Sequence, residues 1–204
     1  MIKQQLYGKT QRFSQTEKTI ITEKIDGSNL VFFKKDSVLH IAERSTIYTL
    51  DEADKLSYKG LKGWVTEHGK ALEEALVENA AIIGEWIGTG RLKYNFDHRF
   101  LMFAKANVYD ELELTNKLYI PELFKYPFKN QETPSFIGQV PVLGEYFKLM
   151  SLEDLNAIYE IYVLEVGRSV EGFIVNTSGN ISKYVRNKNG YIEDHVTSYA
   201  RQAK

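Results

Sequence analysis

From Thr19 to Ala42 the chain is dominated by β-branched, aliphatic and aromatic residues, Thr-Ile-Ile-Thr and Leu-Val-Phe-Phe among them, and is broken at Asp26-Gly27 and at the polar stretch Lys34-Lys35-Asp36-Ser37. Runs of this composition bounded by turn-forming residues read as strands, so the fold must begin as sheet, with Lys24 where a strand ends. Ala81 to Ile87 and Arg99 to Val108 read as further strands buried on at least one face. Gly172 to Asn176 and Ile181 to Arg186, joined by Thr-Ser-Gly-Asn, read as a hairpin. Helical spacing of Trp64, Val65, His68, Leu72, Leu76 and Val77 predicts a helix over 64–79. Ser151 with Asp154 three residues on resembles a capping box opening a helix to about Glu165. Residues 191–204 add a last polar helix, and 110–148 show no readable pattern. The expected class is α+β, rich in antiparallel sheet, in a single domain spanning 1–204.

Bulk properties narrow the function classes. Apolar residues make up 43% of the 204, enough for a sizeable core. Lys plus Arg (26) nearly balances Asp plus Glu (27), so a polyanion would have to be met by a local patch. The lysines at 34 and 35, 59 and 62, and 125 and 129 are such patches, though scattered lysines are usually just solvated. With no cysteine, disulfides, thiolate metal sites and a cysteine nucleophile are excluded. No run approaches the roughly 18 apolar residues of a membrane span and the start carries no signal-peptide core, so a cytoplasmic protein without membrane partner is expected, acting as a monomer. The sequons at Asn176 and Asn180 read as chance matches. His40, His68, His98 and His195 lack ligand spacing, which leaves a histidine metal site or a serine-histidine hydrolase without support.

Lys24 has the most chemistry to offer. A lysine amine attacks the α-phosphate of a nucleoside triphosphate and holds the nucleotide as a phosphoramide, once its pKa is brought down from about 10.4 toward neutrality. Lys24-Ile-Asp26-Gly27 alone recurs by chance, and the plain alternative is an inert surface pair of Lys24 with Glu23 or Asp26. Its company adds weight: Glu43-Arg44-Ser45, Gly84-Glu85-Trp86, the aromatic strand around Phe103, Glu171-Gly172-Phe173-Ile174-Val175, and Ser182-Lys183-Tyr184-Val185-Arg186. Together they supply a nucleophile, phosphate-binding cations, carboxylates for metal and ribose, and apolar faces for a base. Lys183 and a metal ion nearby, with partial burial, would disfavour the ammonium form of Lys24. Glu85, inside an apolar strand, faces solvent or lines a cleft, and the cleft is preferred. The hairpin brings Lys183 onto the strand beside Glu171, the carboxylate-and-lysine combination that a magnesium nucleotide needs. Phe100, Met102 and Phe103 suit the core as well as base stacking. Ile87-Gly-Thr-Gly-Arg-Leu-Lys lacks the features of a phosphate loop and reads as a turn.

In this order the residues from about 20 to 188 resemble the ATP-dependent RNA ligases of the covalent nucleotidyltransferase superfamily, which also contains DNA ligases and mRNA-capping guanylyltransferases. DNA ligases and capping enzymes typically carry arginine two positions after the motif glycine; here that position is Asn29, which looks like RNA ligases. The resemblance implies a nucleotidyltransferase (adenylation) domain of the ATP-grasp-like/ligase type. It implies that Lys24 is adenylated from ATP, with Mg2+ or Mn2+ held by Glu171 and Lys183 on the α-phosphate. It further implies Arg44 on the nucleotide or incoming 5'-phosphate end, Glu85 on a ribose hydroxyl, and Phe103 and Ile174 on the two faces of adenine. Glu23, Asp26, Gly27, Asn29 and Arg186 complete the implied nucleotide-binding set.

Two departures from the family pattern stand out. A second lysine is usual two positions after Lys183, where this chain has Val185; the missing cation is lost, or supplied by Arg186 through a bulge or by Lys188. Only 18 residues follow Arg186, so no separate C-terminal OB domain is expected. The implied activity joins RNA 5'-phosphate and 3'-hydroxyl ends through lysyl-AMP and an adenylated 5' end, releasing pyrophosphate and AMP. The alternatives are a minimal DNA ligase or other nucleotidyltransferase, or a non-catalytic nucleotide- or RNA-binding module.

Overall fold

The computed structural model describes residues 18–44, 46–108, 127–147, 150–177 and 179–186. Its elements run β1 (Thr19–Lys24), β2 (Ser28–Lys35), β3 (Val38–Glu43), β4 (Thr46–Thr49), a 3-10 helix (Leu50–Lys55), α1 (Leu61–Ala75) and β5 (Ala80–Trp86). There follow β6 (Phe100–Asn107), β7 (Gly138–Gln139), β8 (Val142–Tyr146), α2 (Leu152–Val166), β9 (Gly172–Thr177) and β10 (Asn180–Val185). These residues form two compact units: Asp26–Val140, and the stretch ending at Ile25 together with that beginning at Pro141. Ser45, Lys125, Lys188 and the helix expected at 191–204 lie outside the described residues.

The first unit is built on a sheet of order β4-β3-β2-β5-β6-β7, antiparallel except for the parallel β6-β7 pair. One face of β2 sends Leu30 and Phe32 toward α1, in a core with Ile82, Trp86, Phe100 and Met102. The other sends Val31 and Phe33 into a cluster with Ile83 and Ala104. A strand buried on both faces needs apolar residues at every position, which is why β2 reads as a continuous run. Asp36 and Ser37 both have positive φ (52° and 64°), as a two-residue hairpin turn requires. Lys34 and Lys35, read as part of that turn, instead complete β2. Lys34 is buried, and its amine donates to the Glu73 carbonyl in the last turn of α1 (2.6 Å), where the helix dipole favours a cation. The α1 helix begins at Leu61, three residues before the expected start, because Leu61 extends the buried stripe of Val65 and Leu72.

The second unit is an antiparallel sheet of order β10-β9-β1-β8 with α2 on one face. Burial alternates along β1: Thr19, Ile21 and Glu23 point inward, and Ile20, Thr22 and Lys24 outward. Ile21, Phe173, Val175 and Tyr184 meet Leu155, Ile158, Tyr159, Tyr162 and Val163 of α2. The capping box is present: Ser151 Oγ accepts from the Asp154 N–H (3.1 Å), and the Asp154 carboxylate accepts from the Ser151 N–H (2.8 Å).

Candidate active site

Lys24 ends β1 on the face turned away from α2. Its amine donates to Glu171 Oε2 at 2.6 Å, and the two side chains keep 25% and 23% of their surface exposed, so a solute can reach the pair. Neither Glu23 nor Asp26, the partners of the inert alternative, takes this lysine. Pairing across the sheet sets Lys24 opposite Gly172 and Gly172 opposite Val185, while Thr22 faces Ile174 and Ile174 faces Lys183. Directly opposed residues share a face. Lys24, Ile174, Lys183 and Val185 therefore occupy one surface. Two strand spacings of about 4.8 Å and one two-residue rise of about 6.8 Å separate the Cα atoms of Lys24 and Lys183 by roughly 12 Å, within joint reach of two lysine side chains. Lys183 is exposed and makes no ion pair among the described residues. Gly172 is required here, because a Cβ would lie 2.0 Å from the Tyr184 carbonyl oxygen at φ +154°.

Two of the expected nucleotide contacts point elsewhere. Glu23, one residue before Lys24, faces α2 with a carboxylate that is 0% exposed, bound by both Nη atoms of Arg168 and by the Tyr162 hydroxyl (2.7 Å). Burial first, and then Glu23, pushes the Tyr162 phenol far above its ordinary value. Arg186 also turns to α2. Its Nε donates to Tyr184 Oη (2.7 Å), its Nη atoms to Glu160 and Asn156, and its guanidinium covers the Tyr159 ring at 4.4 Å. It does not stand in for the absent second lysine. Period-two alternation explains both placements, since the residues beside Lys24 and Val185 must leave on the opposite side.

The other expected residues belong to the first unit. The Asp26 carboxylate accepts from the backbone N–H groups of Arg91 and Leu92 (2.6 and 2.9 Å), and the Asp26 N–H donates to Tyr94 Oη (2.7 Å). The motif aspartate thus clasps the Gly88 to Tyr94 loop, which is the turn expected there. A Cβ on Gly27 would meet the Trp86 carbonyl oxygen at 2.5 Å and Glu85 Cγ at 2.8 Å, so the motif glycine permits close passage of β5. Asn29 pairs with Glu85 and Glu85 with Leu101, on the face that also bears Ile83 and Ala104. The β5-β6 register shifts between Ile83 and Gly84, which leaves Phe103 as the extra residue of a bulge, partly buried against that same face. Asn29, Glu85 and Phe103 therefore share a surface. Glu43 is buried and takes the backbone N–H groups of Ser57 and Tyr58, which makes it an anchor for that loop (3.0 Å each). Exposed Arg44 follows with φ 45°. Sequence reasoning missed Tyr58, Tyr94, Tyr162 and Arg168. Tyr58 Oη donates to the Asn29 carbonyl (3.1 Å), and its pKa is raised by burial and then by Glu43, with Arg44 opposing. No local pattern announces a tyrosine of this kind.

The second unit's antiparallel sheet thus carries a lysine, a carboxylate and a second lysine together on one side. Three structures of the Naegleria gruberi RNA ligase match, each with a TM-score of 0.51: a lysine-to-alanine variant with ATP and Mn (17% identity, 84% of this chain, 50% of that chain), an apo aspartate-to-alanine variant (18%, 83%, 49%) and a glutamate-to-alanine variant with ATP and Mn (16%, 85%, 51%). At this identity the likeness is one of fold, and the chain spans about half the length of those it matches. No curated protein matches it. A family model for RNA ligase matches residues 17–188, and the chain belongs to the RNA ligase family. No helix among the described residues is long and apolar enough to cross a membrane.

Proposed function

We propose that this protein is an ATP-dependent RNA ligase that joins a 5'-phosphate to a 3'-hydroxyl through lysyl-AMP. The observation that carries the reading is the Lys24–Glu171 contact of 2.6 Å on the face shared with Ile174 and Lys183. Lys24 Nζ attacks the α-phosphorus of ATP, a phosphoramide bond forms, and the bond to pyrophosphate breaks. For that attack the amine gives up a proton, and Glu171 is the nearest acceptor. AMP then passes to the 5'-phosphate of RNA, and the 3'-hydroxyl displaces it to form the new phosphodiester. Lys183 neutralises charge on the α-phosphate, and Ile174 offers an apolar face to the base. Glu85 accepts from a ribose hydroxyl, Asn29 and Arg44 contact nucleotide or the 5' end, and Phe103 stacks on adenine.

The donor set fits a hard cation of limited protein ligation. Glu171 Oε1 accepts no hydrogen bond among the described residues, and these contain no cluster of three His, Asp or Glu side chains able to hold a metal. Magnesium is commonly held by one or two carboxylates plus substrate phosphates, so Glu171 with the triphosphate is a sufficient site for Mg2+ or Mn2+. Such an ion supplies charge neutralisation at the transferred phosphate. The Naegleria gruberi ligase structures with ATP and Mn accord with this pairing of nucleotide and metal.

The test offers RNA with 5'-phosphate and 3'-hydroxyl ends alongside DNA of the same sequence, with ATP or GTP and Mg2+. Joined RNA with release of AMP and pyrophosphate, dependent on ATP, is expected. ATP binding without pyrophosphate release would overturn the reading.

A further inference from the structure

The Glu23–Arg168 pair takes no part in the chemistry proposed above, yet it is the most deeply buried ion pair among the described residues, with Glu23 0% and Arg168 14% exposed. Both carboxylate oxygens are engaged by separate Nη atoms, and Tyr162 of α2 adds a third bond at 2.7 Å. The Glu23 N–H is also held, donating to the Pro141 carbonyl at 2.9 Å. Arg168 follows Gly167, whose left-handed backbone (φ 60°) ends α2, and stands three residues before Glu171.

Two adjacent residues of β1 thus leave on opposite faces and ion-pair with the two ends of one short segment. Glu23 holds Arg168 and Lys24 holds Glu171, with the charges reversed. Only the second pair is disturbed by the reaction. When the Lys24 nitrogen bonds to phosphorus it is no longer an ammonium, and its attraction for Glu171 disappears. The Glu23–Arg168 pair, on the face turned toward α2, is untouched by that event.

We propose that Arg168, supported by Tyr162, is a positioning residue of the adenylation step: its bidentate grip on Glu23 keeps the segment 168–171, and with it the Glu171 carboxylate, at the end of β1 after Lys24 has lost its charge. A bidentate arginine fork fixes both distance and orientation, which a single ammonium cannot do. The inference rests on the reading of Lys24 as the adenylated residue.

Arg168→Ala strands a buried carboxylate and is a poor test, because unfolding would mask the effect. The informative variants are Arg168→Lys, the neutral double variant Glu23→Gln with Arg168→Met, and Tyr162→Phe, which removes one hydrogen bond and leaves the ion pair. Thermal unfolding selects those that remain folded. In the folded neutral double variant, label transfer from α-labelled ATP at saturating nucleotide falls about tenfold or more while KM for ATP changes little. Arg168→Lys falls between that variant and wild type, and Tyr162→Phe slows severalfold. Folded variants that label at the wild-type rate, or that lose only KM, overturn the inference. Wild-type protein that takes no label overturns the ligase reading itself, and the inference with it.

Discussion

Glu23 and Lys24 are adjacent and oppositely charged, but strand geometry forbids them from neutralising each other and gives each a partner on its own face. The consequences of losing each partnership differ. Glu23→Ala leaves Arg168 without its buried counter-charge, and a cost of about 3–5 kcal/mol in unfolding free energy is expected, read by chemical denaturation. Glu171 is only partly buried, so Glu171→Gln should leave stability within about 1 kcal/mol of wild type. The same change should slow AMP transfer to the protein about a hundredfold or more, because the acceptor for Lys24 and the anionic metal ligand vanish together. Labelling time courses would show this; an unchanged rate would remove Glu171 from the chemistry. At this scale the sequence was informative about residue type and less so about partners. Lys24, Glu171 and Lys183 stood out by their order along the chain and the company of the other motif residues, since a lysine at a strand end or a Glu-Gly pair is common by itself. Alternation along a strand already turns Glu23 and Arg186 away from Lys24 and Val185. Their partners there, Arg168 and Tyr162 for one and Glu160 and Asn156 for the other, follow only once α2 is placed on that face.

Among the elements, β9 depends on a residue with no side chain. Gly172→Ala would press a methyl group into the Tyr184 carbonyl, and the β9-β10 pairing should lose about 2 kcal/mol or more. Hydrogen exchange of the hairpin amides is the direct measure. His40 makes β3 sensitive to pH. Burial lowers its pKa below 6.5, and its ring stacks on Phe33 at 4.8 Å. Above that value His40 is neutral whether the chain is folded or not. As the pH falls below it the unfolded chain takes up the proton first, and stability declines until the folded value is passed. Replacing His40 with Gln should flatten the pH dependence of the unfolding temperature in that window. Both helices and the hairpin were legible because their signals are local: a capping box, a stripe at helical spacing, a glycine-centred turn. The β4, β7 and β8 strands were not. The β7 strand has two residues, and β8 includes Gly144, so its strand character comes from pairing with β1 more than a hundred residues away, which no window of sequence contains.

For the molecule as a whole, the proposed metal site is shared with its substrate. With no three-ligand cluster among the described residues, Mg2+ should bind the free protein weakly and tighten markedly when ATP or a non-hydrolysable analogue is present. Calorimetric titrations with and without nucleotide would reveal this coupling, and tight binding to the free protein would refute it. All of the account turns on one atom, the Lys24 nitrogen. The most direct measurement is mass spectrometry of the protein after incubation with ATP and Mg2+, followed by digestion and mapping of any adduct. The account predicts one AMP per chain, labile to acid and stable to alkali as a phosphoramide is, on the peptide containing Lys24 and absent from Lys24→Ala. An adduct on another residue, or one retained in full by Lys24→Ala, would contradict it.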